Sequence, residues 1–276
     1  MERDELDLVC RLTGVGEDRV ALRDDGFRSR GYVADGGRFV FKFPKAPGVR
    51  YENEARLLNR LNASVLGVAL LRVAWTAGDG AWLGLHGVPG ASLEGLELPE
   101  DRRREVGQQL GRFLRRLHAL EVPDAPVCTL DGEIEAWRRR FLDGRAFLAE
   151  HFTPAELARL DRFLLEEAPG ELRALGERPV FSHGDLGEGN ILLDGGRVGV
   201  IDFNESGYFE EAADFMDIQD GVVLEAMLDA YGADAALRRK TAVRRALRPL
   251  FVAGTYAGAG RRAEPYLKQV RTLLGA

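Results

Sequence analysis

Cysteine is nearly absent: Cys10 and Cys128 are the only two in 276 residues, with no CxxC spacing and no histidine pair beside either. A disulfide framework and the usual structural zinc spacings are thereby excluded, and both read as core residues. Uncharged apolar runs of the roughly 18 residues needed to cross a bilayer are missing, because Arg72, Asp79 and Glu94 interrupt the most hydrophobic stretch. The first five residues, Met1-Glu2-Arg3-Asp4-Glu5, lack the basic-then-apolar order of a secretory signal. The expected location is the cytoplasm, with no membrane partner. Positive charge is not in excess either: 38 Lys and Arg stand against 44 Asp and Glu, a formal charge of −6. Nucleic-acid backbones are held by clustered basic residues, so no such partner is expected. The short basic runs at 102–104, 138–140 and 238–240 fall in helical stretches and read as solvated faces. A GxxxxGK[ST] loop does not occur, and Gly14-Val15-Gly16 lacks the third glycine of a dinucleotide fingerprint.

What is present is enough apolar residue, 45%, to bury a sizeable core. Residues 20–43 read as a β-meander: 20–22, a turn at Asp24-Asp25-Gly26, then 32–34, a Gly36-Gly37 turn, and 38–43. In the last strand Phe39, Phe41 and Phe43 share one face and Lys42 points from the other. Residues 51–61 form a helix with Leu57, Leu58 and Leu61 on one stripe, and 68–74 and 81–85 add two strands. Gly87-Val88-Pro89-Gly90 reads as a linker. Beyond it the pattern turns helical: a long helix opens at Pro99, and others follow over 134–150, 154–167, 211–231, 235–251 and 264–274. The expected organisation is a small β-rich lobe with one helix, a hinge, and a larger helical lobe carrying one embedded hairpin.

That hairpin lies in the most informative segment, residues 180–203. Residues 190–193 and 198–203 are β-prone, and Asp194-Gly195-Gly196 between them is a strong turn. A two-residue Gly195-Gly196 loop pairs Asp194 with Arg197 and carries Asp202 across from Gly189, beside Asn190. Asp185 sits in the loop just before. One turn thus brings Asp185, Asn190 and Asp202 to the same end of the hairpin. Phosphoryl transfer uses such a set: one carboxylate to receive the proton of an attacking hydroxyl, and a second carboxylate with an amide oxygen to hold Mg²⁺ against a polyphosphate. Singly, Asp and Asn beside turns are local hydrogen-bonding residues. Lys42 would ordinarily be solvated, but Glu54, three, four and seven residues before Leu57, Leu58 and Leu61, supplies a counter-charge at the edge of the core-facing stripe. Lys45, beyond Pro44, is the second candidate. Residues 25–31 lie between the first two strands, where the Ser29 hydroxyl and backbone N–H groups suit phosphate oxygens, with Arg28 and Arg30 as helpers or as solvated side chains. His183 has no partner at metal-ligand spacing and reads as fixing the loop that presents Asp185; His118 has the same modest role.

The HxDxxxxN pattern from His183 to Asn190, followed by a hairpin ending in Ile201-Asp202-Phe203, resembles the aminoglycoside phosphotransferase and choline kinase superfamily. Residues 39–45 are similar to the strand carrying its nucleotide-binding lysine, especially in the aminoglycoside 2″-phosphotransferase branch. Leu117-His118 and the hinge over 84–90 agree. The resemblance implies an α+β, two-lobed protein-kinase-like fold, with a nucleotide-binding lobe over 1–88, a hinge at 86–90 and a catalytic and substrate-binding helical lobe over 89–276. It implies ATP or GTP as phosphoryl donor, Mg²⁺ as cofactor, Asp185 as catalytic base, Asn190 and Asp202 as metal ligands, and a Lys42–Glu54 pair on the nucleotide. Leu85 and Val88 fall in the hinge that receives the base. Two departures stand out: Asn204 where many relatives carry a small residue, and Leu186-Gly187-Glu188-Gly189 where relatives often carry histidine or proline.

From 198 to 237 there is no Lys or Arg, yet ten acidic residues occur. Such a wall beside the catalytic loop would concentrate a cationic acceptor, although acidic residues at a helix start also offset its macrodipole without any ligand. The resemblance favours an amine-bearing alcohol of aminoglycoside type, with Asp217, Asp220 and Glu225 as contacts, and assigns Glu210 and Asp214 to structure. The alternatives are a metabolite kinase of the same fold (choline, homoserine or sugar type), a non-catalytic nucleotide-binding regulator, and a metal-dependent hydrolase using Asp185, Asp202 and His183.

Overall fold

The computed structural model describes residues 2–23, 29–258, 260 and 262–275. Helix α1 (Glu2–Thr13) is followed by β1 (Val20–Arg23), β2 (Ser29–Ala34) and β3 (Phe39–Pro44), then α2 (Glu52–Ala63), β4 (Ala69–Leu70), β5 (Arg72–Thr76) and β6 (Leu83–His86). The strands β1-β2-β3-β6-β5, in that order, form one antiparallel sheet. The alternation in β3 works as its pattern requires: Phe39, Phe41 and Phe43 are buried on one face with Tyr32, Trp75 and Trp82. Phe41 stacks on Trp75 at 5.5 Å between ring centroids, and a Cβ at Gly84 would meet the Phe41 ring at 2.7 Å, so only glycine fits opposite it. An exposed face of this kind would be costly.

Helix α1 covers it with Val9, Leu6 and Leu12, and is anchored by a buried Arg30–Glu5 ion pair at 2.5 Å that Tyr32 joins through its hydroxyl. The lobe therefore has two helices, not the single one expected. The acidic opening of the chain conceals a three-turn amphipathic helix whose apolar side has an aromatic floor to rest on.

A second departure concerns residues 68–74. They are not one strand: β4 leaves the small sheet and pairs in parallel with the hairpin of residues 191–200, whereas β5, bulged between Val73 and Trp75, stays in the small sheet. The linker strand β7 (Ala91–Ser92) joins the hairpin from the other side, giving the order β4-β10-β9-β7 with β9 (Ile191–Asp194) and β10 (Arg197–Val200). Gly90, at φ 121°, passes so close to Leu193 that a Cβ would lie 2.6 Å from its backbone.

The remainder is helical: α3 (Glu100–Leu117), α4 (Leu130–Ala149), α5 (Pro154–Arg162) and α6 (Ala168–Ala174), then α7 (Gly221–Tyr231), α8 (Ala235–Gly258) and α9 (Glu264–Leu274). A π-helical stretch at Phe163–Glu167 joins α5 to α6, where one helix was expected. Likewise 211–231 is not continuous. A 3₁₀ turn over Glu211–Phe215 precedes α7, which Asp220 starts by accepting from the N–H groups of Val222 and Val223. Gly107 and Gly111 let α3 lie on α7: a Cβ at either would sit 2.3 or 2.2 Å from a carbonyl oxygen of α7. One core cluster joins α2, α3, α7 and the hairpin, and a second joins α4–α6, α8 and α9. A two-stranded sheet, β8 (Pro179–Ser182) with β11 (Gly207–Glu210), adds Phe181 and Tyr208 to the first. Among the described residues no helix is long and apolar enough to cross a membrane.

Candidate active site

The catalytic hairpin has the register its turn dictates: Asp194 opposes Arg197 and Val200 opposes Ile191. Gly195 (φ 52°) and Gly196 (φ 102°) supply the two left-handed residues that a tight two-residue loop needs. Ile201 N–H extends the ladder to Asn190 O at 3.0 Å. At Asp202 the strand ends. This residue adopts φ 65°, ψ 66°, an uncommon backbone for a side-chain-bearing residue, and its carboxylate comes to 3.5 Å from Lys42 Nζ.

Lys42 reaches that point from β3, whose register sets it opposite Gly31 and Leu83. Its ammonium lies 2.6 Å from Glu54 Oε1 on α2. Burial alone would lower its pKa, but Glu54 and Asp202 together hold it above the ordinary lysine value, so it is a fixed cation. The side chains of Lys42 and Glu54 are 14% and 9% exposed, against 43% for Asp202, which leaves the latter open to the cleft. Lys42, rather than Lys45, is thus the lysine that pairs with Glu54 in this structure.

Asp185 is presented by a loop that three residues brace from beneath. Asp214, fully buried, accepts the N–H groups of His183 and Gly184 at 2.9 Å each. His183 Nε2–H donates to Ile201 O at 2.9 Å, and its Nδ1 accepts Asp185 N–H at 3.3 Å, so one imidazole ties the loop to the hairpin. Gly184, at φ 84°, would place a Cβ 2.3 Å from Glu205 O. Behind Asp214, His118 Nε2 approaches Oδ2 at 3.1 Å while its Nδ1 lies 3.0 Å from Tyr231 OH, a phenol that burial pushes up to about 12 and so keeps neutral. Burial would raise the Asp214 carboxyl; His118 and the loop N–H groups outweigh it and hold the pKa below the usual range.

Asn190 Nδ2 donates to Asp185 O at 2.8 Å and to Asp185 Oδ2 at 3.1 Å. Asp185 opens on the cleft, yet the protein around it withholds enough water to push its carboxyl above the usual range, with the charges of Asp202 and Glu205 adding to the rise and His183 and Asn190 opposing it. Asn190, having committed its nitrogen, keeps its amide oxygen as a hard donor. Asp202 meets Lys42 and Asn204 through Oδ1 and retains Oδ2. No group of three His, Cys, Asp or Glu suited to a metal occurs among the described residues. One carboxylate and one amide oxygen fit Mg²⁺, which keeps waters and takes its other ligands from phosphate.

Other expected positions fare differently. Ser29 Oγ shares a hydrogen bond of 2.7 Å with Tyr51 OH at the start of β2, and residues 25–28 of the expected phosphate loop, Arg28 among them, lie outside the described residues. Arg30 is neither a phosphate ligand nor solvated, since Glu5 holds it in the core. Leu85 is fully buried in β6 and Val88 packs against Gly199; the chain between is held by Gly87 N–H donating to Arg38 O at 2.8 Å. The acidic stretch is not an unbalanced wall. Arg248 pairs with Asp217, Arg103 with Asp220 at 3.1 Å, and Arg238 with Glu225 at 2.8 Å, each arginine lying outside 198–237 in the chain or just past its end. Glu210 is buried on Lys240 at 2.8 Å. A residue with no sequence signal, Glu188, accepts the N–H groups of Gln219 and Asp220 at 3.0 and 2.9 Å and fastens the catalytic loop to the start of α7.

Comparison with known proteins accords with this geometry. The model of the phosphotransferase enzyme family matches residues 20–250. An aminoglycoside 3′-phosphotransferase from Streptomyces fradiae is 30% identical over 200 residues, covering 64% of this chain and 71% of that protein. Among solved structures, the GDP and kanamycin complex of APH(2″)-IIIa superposes with a TM-score of 0.74 at 20% identity, covering 96% of this chain and 97% of that one. The apoenzyme of a macrolide 2′-phosphotransferase from Brachybacterium faecium gives 0.62 at 24% identity, covering 97% of both chains. With the Lys42–Glu54 pair, the braced Asp185 loop and the hairpin carrying Asp202 all lying inside the matched residues, the chain belongs to the phosphotransferase enzyme family and is a small-molecule kinase.

Proposed function

We propose that this kinase moves the γ-phosphoryl group of ATP or GTP to a hydroxyl of a small, amine-bearing acceptor such as an aminoglycoside, with the nucleotide between the lobe of residues 1–88 and that of 89–276. The observation that carries this reading is the continuous set of contacts running from Glu54 through Lys42 to Asp202, facing the Asp185–Asn190 pair across the cleft. Lys42, held charged, binds polyphosphate oxygens, and Glu54 keeps it extended. Leu85 and Val88 flank the hinge backbone that receives the base, and Ser29 lies at the mouth of the phosphate loop. Asn190 and Asp202 would hold Mg²⁺, which when bound offsets the charge of the polyphosphate. Asp185 accepts the proton of the acceptor hydroxyl as its oxygen bonds to the γ-phosphorus and the bond from that phosphorus to the β-γ bridging oxygen breaks, leaving the nucleoside diphosphate. Asp217, Asp220 and Glu225 are the proposed contacts to the acceptor's amines.

The test is nucleotide turnover with a panel of aminoglycosides, choline, homoserine and sugars, wild type against Asp185→Ala. Equal rates in the two proteins would remove the assignment. One observation favours a second reading, a metabolite acceptor carrying little charge: the arginines on Asp217, Asp220 and Glu225 cancel much of the negative potential a polycation would use. The same panel separates the two.

A further inference from the structure

Beneath α2 lies a groove of about 790 Å³, within the size range of small-molecule sites. Its walls are α2 on one side and, on the other, the 122–126 segment with residues 203–206; its floor is apolar, with Leu57, Phe181 and Phe203. Three arginines line it, Arg50, Arg56 and Arg60. Among the described residues none of these guanidiniums is in an ion pair. Arg50 donates to Val49 O, Arg56 to Asn53 Oδ1 and Arg60 to Glu121 O, all uncharged acceptors. Some surface arginines elsewhere are matched, as in Arg104–Glu100, Arg145–Asp161 and Arg239–Glu171, and others, such as Arg112 and Arg139, are not; what sets Arg50, Arg56 and Arg60 apart is that all three line one groove. The groove's own carboxylates are Asp124 and Glu54, and Glu54 is committed to Lys42. Three unmatched cations above an apolar floor thus face one free acid.

We infer that this groove binds an organic anion, a flat apolar body bearing a carboxylate or phosphate-like group, beside the nucleotide site, with which it shares Glu54 and Ser29 in its lining. Guanidiniums recognise such groups through forked, charge-assisted hydrogen bonds, and the apolar body packs against Leu57, the part of the floor still open to solvent. The occupant touches α2, which carries Glu54, and residues 203–206, which follow Asp202, so it joins the two elements that meet at Lys42. Binding therefore favours the arrangement that receives nucleotide, and by linkage nucleotide favours the anion.

The probes are phenylphosphonate and benzoate, with benzyl alcohol as the neutral control, titrated calorimetrically into the full chain with and without a non-hydrolysable ATP analogue. One or both anions should bind, benzyl alcohol should not, and affinity should rise with nucleotide present. Arg56→Glu/Arg60→Glu should weaken the anions at least about tenfold, the scale of losing charge-assisted contacts, with circular dichroism and nucleotide turnover unchanged. If charge reversal unfolds the chain, Arg56→Gln/Arg60→Gln serves in its place. Equal binding of benzyl alcohol, unchanged affinity in the variant, or equal or lower anion affinity with nucleotide present would overturn the inference. Because the readout is anion binding, a failed turnover assay with Asp185→Ala does not bear on it.

Discussion

Two polar clusters lie within a few ångströms of the same loop and have opposite characters. Around Glu210 and Asp214 every carboxylate oxygen is answered: Lys240, Arg244 and Ala212 N–H on Glu210, and His118 with two loop N–H groups on Asp214, all out of contact with solvent. Around Asp185 and Asp202 the carboxylates keep unmet oxygens and open on the cleft. A buried polar group must be satisfied within the protein, and once satisfied it has nothing left to offer a ligand. The closed cluster is therefore spent on the fold, whereas the open one keeps oxygens free for a ligand, although both are built from the same residue types.

The contrast is broken most severely at Asp185. Asp185→Asn keeps the shape and the contact with Asn190 but removes the base, and turnover should fall by about 10²–10⁴-fold with the melting temperature held; loss of stability in proportion to activity would place Asp185 with the scaffold instead. The converse holds for Arg244, fully buried between Glu133 at 2.5 Å and Glu210 at 3.2 Å with its guanidinium over Trp137. Arg244→Met leaves Glu133 buried without a cation and Glu210 with Lys240 alone, and should cost about 3–5 kcal/mol in urea unfolding, with kcat of the folded fraction preserved. Asp214→Asn is milder, since the amide accepts one of the two loop N–H groups and leaves the other unmet, a loss of about 1–3 kcal/mol. It also tests pH dependence. The folded-state pKa of Asp214 is depressed, so its stabilisation is complete above the unfolded carboxyl value of about 3.9 and is lost as pH falls through the lower folded value. Urea midpoints followed from pH 6 down to pH 2.5 should show that loss in wild type and lack this share of it in the variant. Smallest is Glu225→Gln, at an exposed pair with Arg238. Stability should shift by less than about 1 kcal/mol, while KM for an amine-bearing acceptor rises with kcat unchanged, an effect that added salt removes. An unmoved KM favours the acceptor of low charge.

Much of the open cluster was legible because it is local. Asp194-Gly195-Gly196-Arg197 determines its own turn, the turn determines register, and register brings Asn190 and the end of β10 together. Glu54 was legible as the counter-charge to Lys42 from its place at the edge of the leucine stripe and from the resemblance. What escaped is what depends on distant partners. Nothing in residues 2–13 announces the aromatic face they cover, and nothing in 68–74 announces that Ala69 and Leu70 pair with Gly199 and Val200. The acidic stretch looked unopposed because Arg103 and Arg248 arrive from other helices. Glu188 is silent for the same reason, its two donors lying 31 and 32 residues further on.

The parallel pairing of β4 with β10 has a mechanical consequence. Only residues 64–68 separate the end of α2 from a strand rooted in the sheet of the larger lobe, and Asn62 Nδ2 ties the same corner down by donating to Leu58 O and Leu71 O at 2.8 Å each. So short a leash limits how far α2 can lie from that sheet. The Glu54 carboxylate that Lys42 meets is thus carried on a helix moored to the same sheet whose hairpin ends at Asp202.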